Sequence, residues 1–349
     1  MTQLNHPPRT QLTDEIEPTA NGRQLFITLL SILIILLLVN FAAIWFLDNF
    51  PNNRGYWLVK AKWQLLQNLD QSVDWLIVGD SSGNQGLDPA ILTAELGGTA
   101  VNLATVADMG TLDDAWMLQT YIERFGPPPN LIIVHTFDSW QRTLKPVFIG
   151  KSAMPWGAWN SLQPDMQFTF QQKTDIFLAR YFPLYADNKS LTQAIMNTVL
   201  NGRPFFIRRY QLEPNGFMPQ PSASPQRVNQ EANALLRSMP NRSFKISDLN
   251  QQSLTQLITL AETYDIQIYL AAGPLFEGLM ADEQFQRYFA EAQAALQQYD
   301  QQSDHFHLLS DPITFPADQM ENPDHIVGDS VVRYTTTIAA AIREVAAQD

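Results

Sequence analysis

The sequence contains no cysteine, and basic residues are scarce. Without cysteine the chain forms no disulfide bond and offers no thiolate ligand to a metal, so its fold depends on packing alone. Lys and Arg together number 22 against 35 Asp and Glu, which gives a formal net charge of −13. Proteins that bind phosphate backbones carry basic surfaces. The charge balance therefore argues against a nucleic-acid partner.

Histidine is also scarce, with five in 349 residues, and this limits the candidates for a general base. A serine hydroxyl becomes a useful nucleophile only when an imidazole accepts its proton, and the imidazole needs an orienting partner. His6 lies in a polar tail, His135 ends a predicted strand, and His305 and His307 alternate along another. That pair has no evident third ligand, so neither a metal site nor a cofactor is predicted. His325, between the last loop and the last helix, is free to reach a sheet edge.

The chain does contain one long apolar run, Leu25 to Leu47. It has no charged residue and is long enough to span a bilayer as a helix of about 20 residues. It exceeds the usual apolar region of a signal peptide, and no clear small-residue cleavage site follows it. We therefore predict an uncleaved membrane anchor over residues 24–48. Lys and Arg lie on both sides of the run, so their distribution does not fix the orientation.

The remaining sequence divides into a tail, a connector and one large domain with an insertion. Residues 1–23 are polar and predict a flexible tail, residues 49–70 a connector, and residues 71–349 the folded domain. A helical insertion is predicted at residues 146–243, which are rich in Trp, Phe, Gln and Pro. It is either a lid and acceptor-binding region or a packing appendage. Within it, PFFIRRYQ at 204–211 favours a helix with a solvated basic face over a lipid-headgroup or sugar contact.

Short apolar runs alternate with helical patterns along the large domain. Trp75 to Val78 has the length and composition of a buried strand, and Gly79 ends it in a tight turn. Further strands are predicted at Ala100 to Ala104, Leu131 to Phe137, Ile266 to Ala272 and Phe306 to Leu309, with a last helix from about Gly328 to Ala347. Strand and helix alternating at these spacings predict right-handed parallel βαβ units.

Ser81 lies just beyond the first predicted strand. Open α/β sheets bind ligands at the carboxyl ends of their strands, so a serine there can face a crevice. The alternative is that Asp80 to Asn84 are only turn-forming residues. On this stretch alone both interpretations remain open.

Three motifs in order resemble the SGNH, or GDSL-type, hydrolase superfamily: GDS at Gly79 to Ser81, NLA at Asn102 to Ala104, and PDHIVGDSVVRYT at Pro323 to Thr335. The resemblance covers Trp75 to Phe137 and Ile266 to Ala347. GLDPAIL, VNLA and an insertion with YFPLY are similar to membrane-anchored relatives that act in O-acylation of cell-envelope polymers. The resemblance implies a three-layer, flavodoxin-like α/β fold with a mostly parallel sheet, a helical insertion and one N-terminal transmembrane helix.

Carried onto this sequence, the resemblance implies that Ser81 is the nucleophile and His325 the general base. The family's acid usually stands three residues before the histidine, where this chain has Asn322, with Asp324 nearby. An asparagine oxygen can hold the tautomer of the ring, but it cannot neutralise an imidazolium. Either Asn322 or Asp324 is therefore expected to orient His325.

The oxyanion donors implied by the resemblance depart further from the family pattern. The Ser81 N–H would supply one donor and the loop after Asn102 another, with Ala107 near the place of the family's glycine and Gly110 beyond it. The usual third-block asparagine is absent, so either Thr136 donates in its place or the hole lacks a donor. Loss of one donor would reduce the rate roughly a hundredfold or more.

These features lead to two functional hypotheses. The first is a single-pass membrane protein whose main domain lies outside the cytoplasm, as the resemblance implies. It would be a serine esterase or O-acyltransferase acting on an acyl group, expected to be acetyl, of an envelope or exported glycan. Its partners would be the lipid bilayer, a glycan or acylated small molecule, and a membrane acyl-donor protein. The second is a catalytically weak SGNH-fold binding or scaffold protein of a polysaccharide assembly system. Ser81 with His325 favours the first, and the altered acid and oxyanion positions favour the second.

Overall fold

The computed structural model describes residues 22–162, 168–202, 211–219, 222–239, 242–309 and 311–347. The expectations for the N-terminal tail and for nearly all of PFFIRRYQ lie outside these residues. The described helices are α1 Gly22–Asn49, α2 Arg54–Asn68, α3 Ser81–Gly86, α4 Pro89–Leu96, α5 Gly110–Phe125, α6 Pro146–Lys151, α7 Trp159–Leu162, α8 Phe170–Tyr181, α9 Pro183–Ala186, α10 Asn188–Asn201, α11 Pro225–Leu236, α12 Asp248–Tyr264, α13 Glu277–Met280, α14 Glu283–Asp300 and α15 Asp329–Ala346. The strands are β1 Trp75–Gly79, β2 Ala100–Asn102, β3 Asn130–His135, β4 Gln267–Ala272, β5 Leu275–Phe276, β6 Phe306–Leu309, β7 Thr314–Phe315, β8 Met320–Asn322 and β9 His325–Ile326.

Five of these strands form one parallel sheet in the order β2-β1-β3-β4-β6. The remaining strands form two small pairs, β5 with β7 and β8 with β9. The prediction of an α/β domain with a mostly parallel sheet is confirmed, and each strand of the large sheet coincides with a predicted one. Gly97, with φ of +78°, ends α4 where the Gly97-Gly98 pair predicts a helix stop.

The sheet is covered by helices on both faces, which explains its continuous apolar strands. Successive residues of β1 point to opposite faces. Leu76 packs into the layer that contains Trp63 of α2 and Trp116 of α5. Ile77 packs into the layer that contains Ile338 of α15. All five residues of β1 are consequently buried.

Helix α1 is long and apolar enough to cross a membrane, with a mean hydropathy of 2.8. None of its residues is buried against the rest of the chain. The structure therefore agrees with the predicted apolar helix at residues 24–48 and extends it slightly at both ends.

Residues 49–70 are more than the predicted connector, because they contain α2. The helix starts at an Asn53 cap, whose Oδ1 accepts a hydrogen bond from the Tyr56 N–H at 3.1 Å. Val59, Trp63 and Leu66 are at most 1% exposed and pack into the main core. This segment belongs to the folded domain.

The described parts of the insertion, residues 146–243, contain the six helices α6 to α11, as the prediction of a helical insertion expects. The chain then returns to the sheet, where the N–H of Asn102 donates to the carbonyl of Asn215 at 2.8 Å. Met218 N–H donates to the carbonyl of Asn84 in α3 at 3.4 Å, and α11 packs against β8. The insertion thus borders both the first sheet motif and the hairpin of the last loop.

Candidate active site

The turn after β1 presents Ser81. Gly79 has φ of +131°, and a Cβ at this position would lie 2.0 Å from the carbonyl oxygen of Val134, so only glycine fits. Asp80 caps α3, and its Oδ1 accepts the Ser82 N–H at 2.9 Å. Ser81 is the first residue of α3, and the other five residues of this helix are all buried. Its side chain is therefore the accessible one at the carboxyl end of β1.

His325 lies on the β8–β9 hairpin, where it pairs with Asn322 across the turn. The N–H of Phe276 donates to the Pro323 carbonyl at 2.9 Å and ties the hairpin to β5, which follows β4. Strand β9 lies against α3, with Cα atoms of the two elements within 8 Å. The structure thus brings the element of Ser81 and the element of His325 to the same edge of the sheet.

The ring of His325 is held from one side. Its Nδ1 lies 2.6 Å from Oδ1 of Asn322 and 2.6 Å from Oδ1 of Asp324. A proton on Nδ1 is donated to these oxygens, and Nε2 is then the acceptor of the neutral ring. Burial lowers the pKa of His325, but the charge and hydrogen bond of Asp324, together with the charge of Glu321, raise the pKa above its usual value. Both predicted partners therefore touch the same nitrogen.

Ser81 and His325 do not bond directly. Among the described residues, neither the hydroxyl of Ser81 nor Nε2 of His325 has a hydrogen-bond partner. A general base works at about 2.6 to 3.2 Å from the proton it takes, and such contacts are often looser before substrate binds. The two polar atoms are thus available, on adjacent elements, for a substrate or for each other.

Two backbone amides near Ser81 are available as donors. The N–H of Ser81 has no intrahelical partner because it opens α3. After β2, the Thr105 N–H donates to the carbonyl of Gly79 at 2.8 Å, so the following loop starts beside the same turn. The Ala107 N–H in this loop donates no hydrogen bond within the described chain. The Gly110 N–H, by contrast, donates to the Ala107 carbonyl at 3.2 Å and is already used.

The side chain of Asn102 braces α3. Its Nδ2 donates to the carbonyls of Gly83 and Leu87, each at 2.9 Å, and its Oδ1 accepts the Ala104 N–H at 3.0 Å. It is fully buried. Both protons of its amide nitrogen are used to hold the backbone of α3 and the residue after it, so Asn102 stabilises the helix that begins at Ser81.

The hydroxyl of Thr136 is also engaged. It lies 3.2 Å from Oδ2 of Asp80, 2.9 Å from Oδ1 of Asp138 and 3.0 Å from Oγ of Ser139, and the residue is 2% exposed. Its prediction as an oxyanion donor stays a prediction. In this arrangement the hydroxyl lies between the carboxylates of Asp80 and Asp138 and can donate its proton to either.

Beneath Ser81 lies a buried ionic network that the sequence analysis missed. His135 Nε2 is 2.6 Å from Oδ2 of Asp114, and its Nδ1 is 3.4 Å from Oδ2 of Asp80. Burial opposes the charge on His135, yet the two carboxylates raise its pKa to about 10. Burial would likewise raise the pKa of Asp80, but hydrogen bonds from His135, Ser139 and Ser82 hold it well below its usual range. With both nitrogens occupied, His135 fixes the turn and is not placed to serve Ser81 as a base.

Lys62 is a second buried group that composition did not reveal. Its Nζ lies 2.7 Å from the carbonyl of Asn102, 3.2 Å from Oδ1 of Asn102 and 2.5 Å from the carbonyl of Gly216. Burial lowers the pKa of Lys62 well below its usual value. The side chain joins α2, β2 and the insertion at one point.

His305 and His307, the remaining described histidines, both contact Gln267. Neither lies on the elements that carry Ser81 or His325.

Neither a scan against protein-family models nor a search of curated proteins finds a match for this chain.

Proposed function

We propose that the protein is a membrane-anchored, SGNH-like serine esterase or O-acyltransferase. It would act on an acyl group, expected to be acetyl, of an envelope or exported glycan. The observation that carries this proposal is the contact between α3, which begins at Ser81, and β9, whose His325 is held at Nδ1 by Asn322 and Asp324. A three-layer, flavodoxin-like SGNH fold is part of the same proposal.

In the proposed reaction, Oγ of Ser81 attacks the carbonyl carbon of the ester while Nε2 of His325 takes the hydroxyl proton. The N–H groups of Ser81 and Ala107 would face the developing oxyanion. Collapse of the tetrahedral intermediate breaks the ester C–O bond, and His325 returns the proton to the leaving alcohol. Water or a glycan hydroxyl then attacks the acyl-enzyme by the same steps in reverse. The first acceptor makes an esterase and the second a transferase.

The membrane setting belongs to the proposal as well. We take α1 as an uncleaved single-pass anchor with the main domain outside the cytoplasm. Arg54, five residues after α1 ends, lies 3.7 Å from Glu321 in the hairpin of His325. This ion pair keeps the candidate site near the bilayer surface, which suits an acyl donor supplied by a membrane protein and an acceptor glycan leaving the membrane.

Labelling with a serine-directed fluorophosphonate tests the proposal on the full chain in detergent. The wild type is expected to label, and the Ser81→Ala variant to lose the label. Ser72→Ala is the matched control, because Ser72 is an exposed serine that precedes β1. Labelling that survives Ser81→Ala in a folded protein contradicts the assignment of the nucleophile.

One observation favours the second candidate, a glycan-binding or scaffold protein. The hydroxyl of Thr136 lies within hydrogen-bond distance of the carboxylates of both Asp80 and Asp138. Among the described residues, the oxyanion donors that the proposal uses are then the N–H groups of Ser81 and Ala107. If the folded wild type does not label but binds an acetylated oligosaccharide in calorimetry, the scaffold is the better description. Loss of that binding in Ser81→Trp, which would fill the crevice, would place the glycan at this site.

A further inference from the structure

The carboxyl third of α1 is the part that touches the rest of the protein. Residues 22–39 are exposed throughout, whereas Ile44 and Leu47 are partly covered. The contact is made by α9, and Nδ2 of Asn40 donates to the carbonyl of Tyr181 at the end of α8. The insertion therefore rests against the apolar helix itself.

Helix geometry places this contact at the depth of the bilayer boundary. A hydrocarbon core of about 30 Å corresponds to about 20 helical residues. Counted from Leu25, such a core ends near Ile44. Asn40 lies four residues earlier, or about 6 Å inside that boundary. The end of α8 is thus level with the outer acyl chains.

The surface that α8 and α9 turn outward at this level is aromatic and apolar. Phe177, Tyr181, Phe182, Leu184 and Tyr185 are between 37% and 57% exposed. Soluble proteins rarely leave such side chains exposed side by side. Tyr and Trp are, however, the residues enriched where protein crosses from lipid to water.

Helix α10 contacts α9 and also exposes apolar side chains. Ile195, Met196, Val199 and Leu200 are between 46% and 73% exposed, and their spacing places them on one helical face. Residues 190–201 contain no charged side chain. The helix starts next to the end of α1, where Nδ2 of Asn53 lies 3.2 Å from Oγ of Ser190.

Charged groups lie on the other side of this level. Lys60 pairs with Asp48 at 2.6 Å, and Lys151 pairs with Asp187 at 2.7 Å. These four residues line a cavity of about 240 Å³ beside the carboxyl end of α1. The guanidinium of Arg180, next to Tyr181, turns toward the domain and donates to the carbonyls of Ser152 and Met154. These ionic groups are thus paired within the protein, whereas the apolar side chains of α9 and of the end of α8 are exposed.

We infer that α8, α9 and α10 form a second membrane contact, with their apolar face in the headgroup and outer acyl region of the bilayer. A helix of this kind buries its apolar face about 5 to 10 Å deep, which matches the level of Asn40. The bilayer is favoured over a protein partner because α1 itself holds this face at the boundary of the hydrocarbon core. The inference rests on α1 spanning the membrane and not on the chemistry of Ser81.

The chain lacks cysteine, so single cysteines report on chosen sites without background. Leu184→Cys and Val199→Cys of the full chain, each carrying an environment-sensitive NBD fluorophore, are reconstituted into phosphatidylcholine vesicles with or without nitroxide-labelled acyl chains. Val332→Cys is the matched control, because Val332 is 47% exposed on α15. Leu33→Cys, within α1, reports whether the anchor has inserted.

Nitroxide-labelled chains are expected to quench the probes at positions 33, 184 and 199 by about twofold or more and to leave the probe at position 332 unchanged. Quenching at position 33 alone overturns the inference and leaves the face to a protein partner. Quenching at none of the four positions overturns the assignment of α1 as an anchor and with it the inference. Circular dichroism of each variant shows that the fold is retained.

Discussion

Two histidines at the carboxyl edge of the sheet have different surroundings, and this difference assigns their roles. Both ring nitrogens of His135 face carboxylates, those of Asp80 and Asp114. His325 is held at Nδ1 only. A residue that is to exchange a proton with a substrate needs one free nitrogen. His325 meets this condition, and His135 holds the turn in place.

The sequence predicts His325 because it is the histidine of a motif that resembles a known family. It does not predict the role of His135, because its partners lie 55 and 21 residues away along the chain. In the sequence Asp80 stands in a run of turn-forming residues, and Asp114 lies in a different element, helix α5. Only the fold places the two carboxylates around one imidazole.

Charge at Asp324 should set the pH dependence of any esterase activity. A base must be neutral to take a proton, so kcat/KM rises as pH passes the raised pKa of His325. Asp324→Asn removes the charge that raises this pKa and shifts the acidic limb to lower pH. Asn322→Asp adds a charge at the same nitrogen and shifts the limb to higher pH. The profile is measured with p-nitrophenyl acetate, and an unchanged limb in both variants would remove His325 from the reaction.

Protonation of His135 should stabilise the fold over a defined pH range. Its pKa is about 6.5 when unfolded and about 10 in the fold. The stabilisation is therefore complete below pH 6.5 and is lost as pH rises through about 10, at up to about 1.4 kcal/mol per pH unit.

The measurement compares the wild type with His135→Gln, because the lowered pKa of Lys62 contributes with the opposite sign over the same range. The difference in Tm between the two proteins should shrink from pH 6.5 to 10. A constant difference would show that His135 is neutral in the folded protein.

At the scale of elements, buried parallel strands were the most predictable part of the molecule. Their runs are continuous because helices cover both faces of the sheet. Helix α2 was missed, although Val59, Trp63 and Leu66 have helical spacing, because the segment after an apolar helix was interpreted as a connector. The β8–β9 hairpin was not predicted from the sequence, because its two strands are only three and two residues long and show no alternating apolar pattern.

Gly79 is expected to be essential for the junction of β1 and α3. Gly79→Ala forces a left-handed φ on a residue with a Cβ and brings that atom against the Val134 backbone. We expect a loss of about 3 kcal/mol or more in the free energy of unfolding. Gly97→Ala is the matched control, because Gly97 also has a positive φ, with ψ of 179°, but has open space around it. It should cost only the backbone strain, about 1 to 3 kcal/mol, without the clash. Denaturant titration compares them, and equal costs would show that the junction can relax.

At the scale of the whole molecule, helix α1 and the α/β domain are weakly coupled. Helix α1 buries no side chain, and its described polar contacts with the domain include the Asn40 bond and the exposed ion pair between Asp48 and Lys60. Exposed ion pairs contribute about 0 to 1 kcal/mol. Most of the folding energy must lie in the domain.

Removal of residues 1–49 should therefore leave the Tm of the domain within a few degrees of the full chain, measured for both in the same detergent. The shortened chain should still need detergent, because the apolar faces of α8 to α10 stay exposed. A domain that no longer unfolds cooperatively would show that α1 contributes to the core.

The edge strand β2 of the main sheet has hydrogen-bond partners outside the sheet. The Asn102 N–H is bonded to Asn215, and Lys62 binds Gly216 in the same returning segment. An exposed edge strand is a template on which a second chain can add a strand. The returning segment therefore covers part of this edge strand and opposes aggregation by strand addition between copies of the chain.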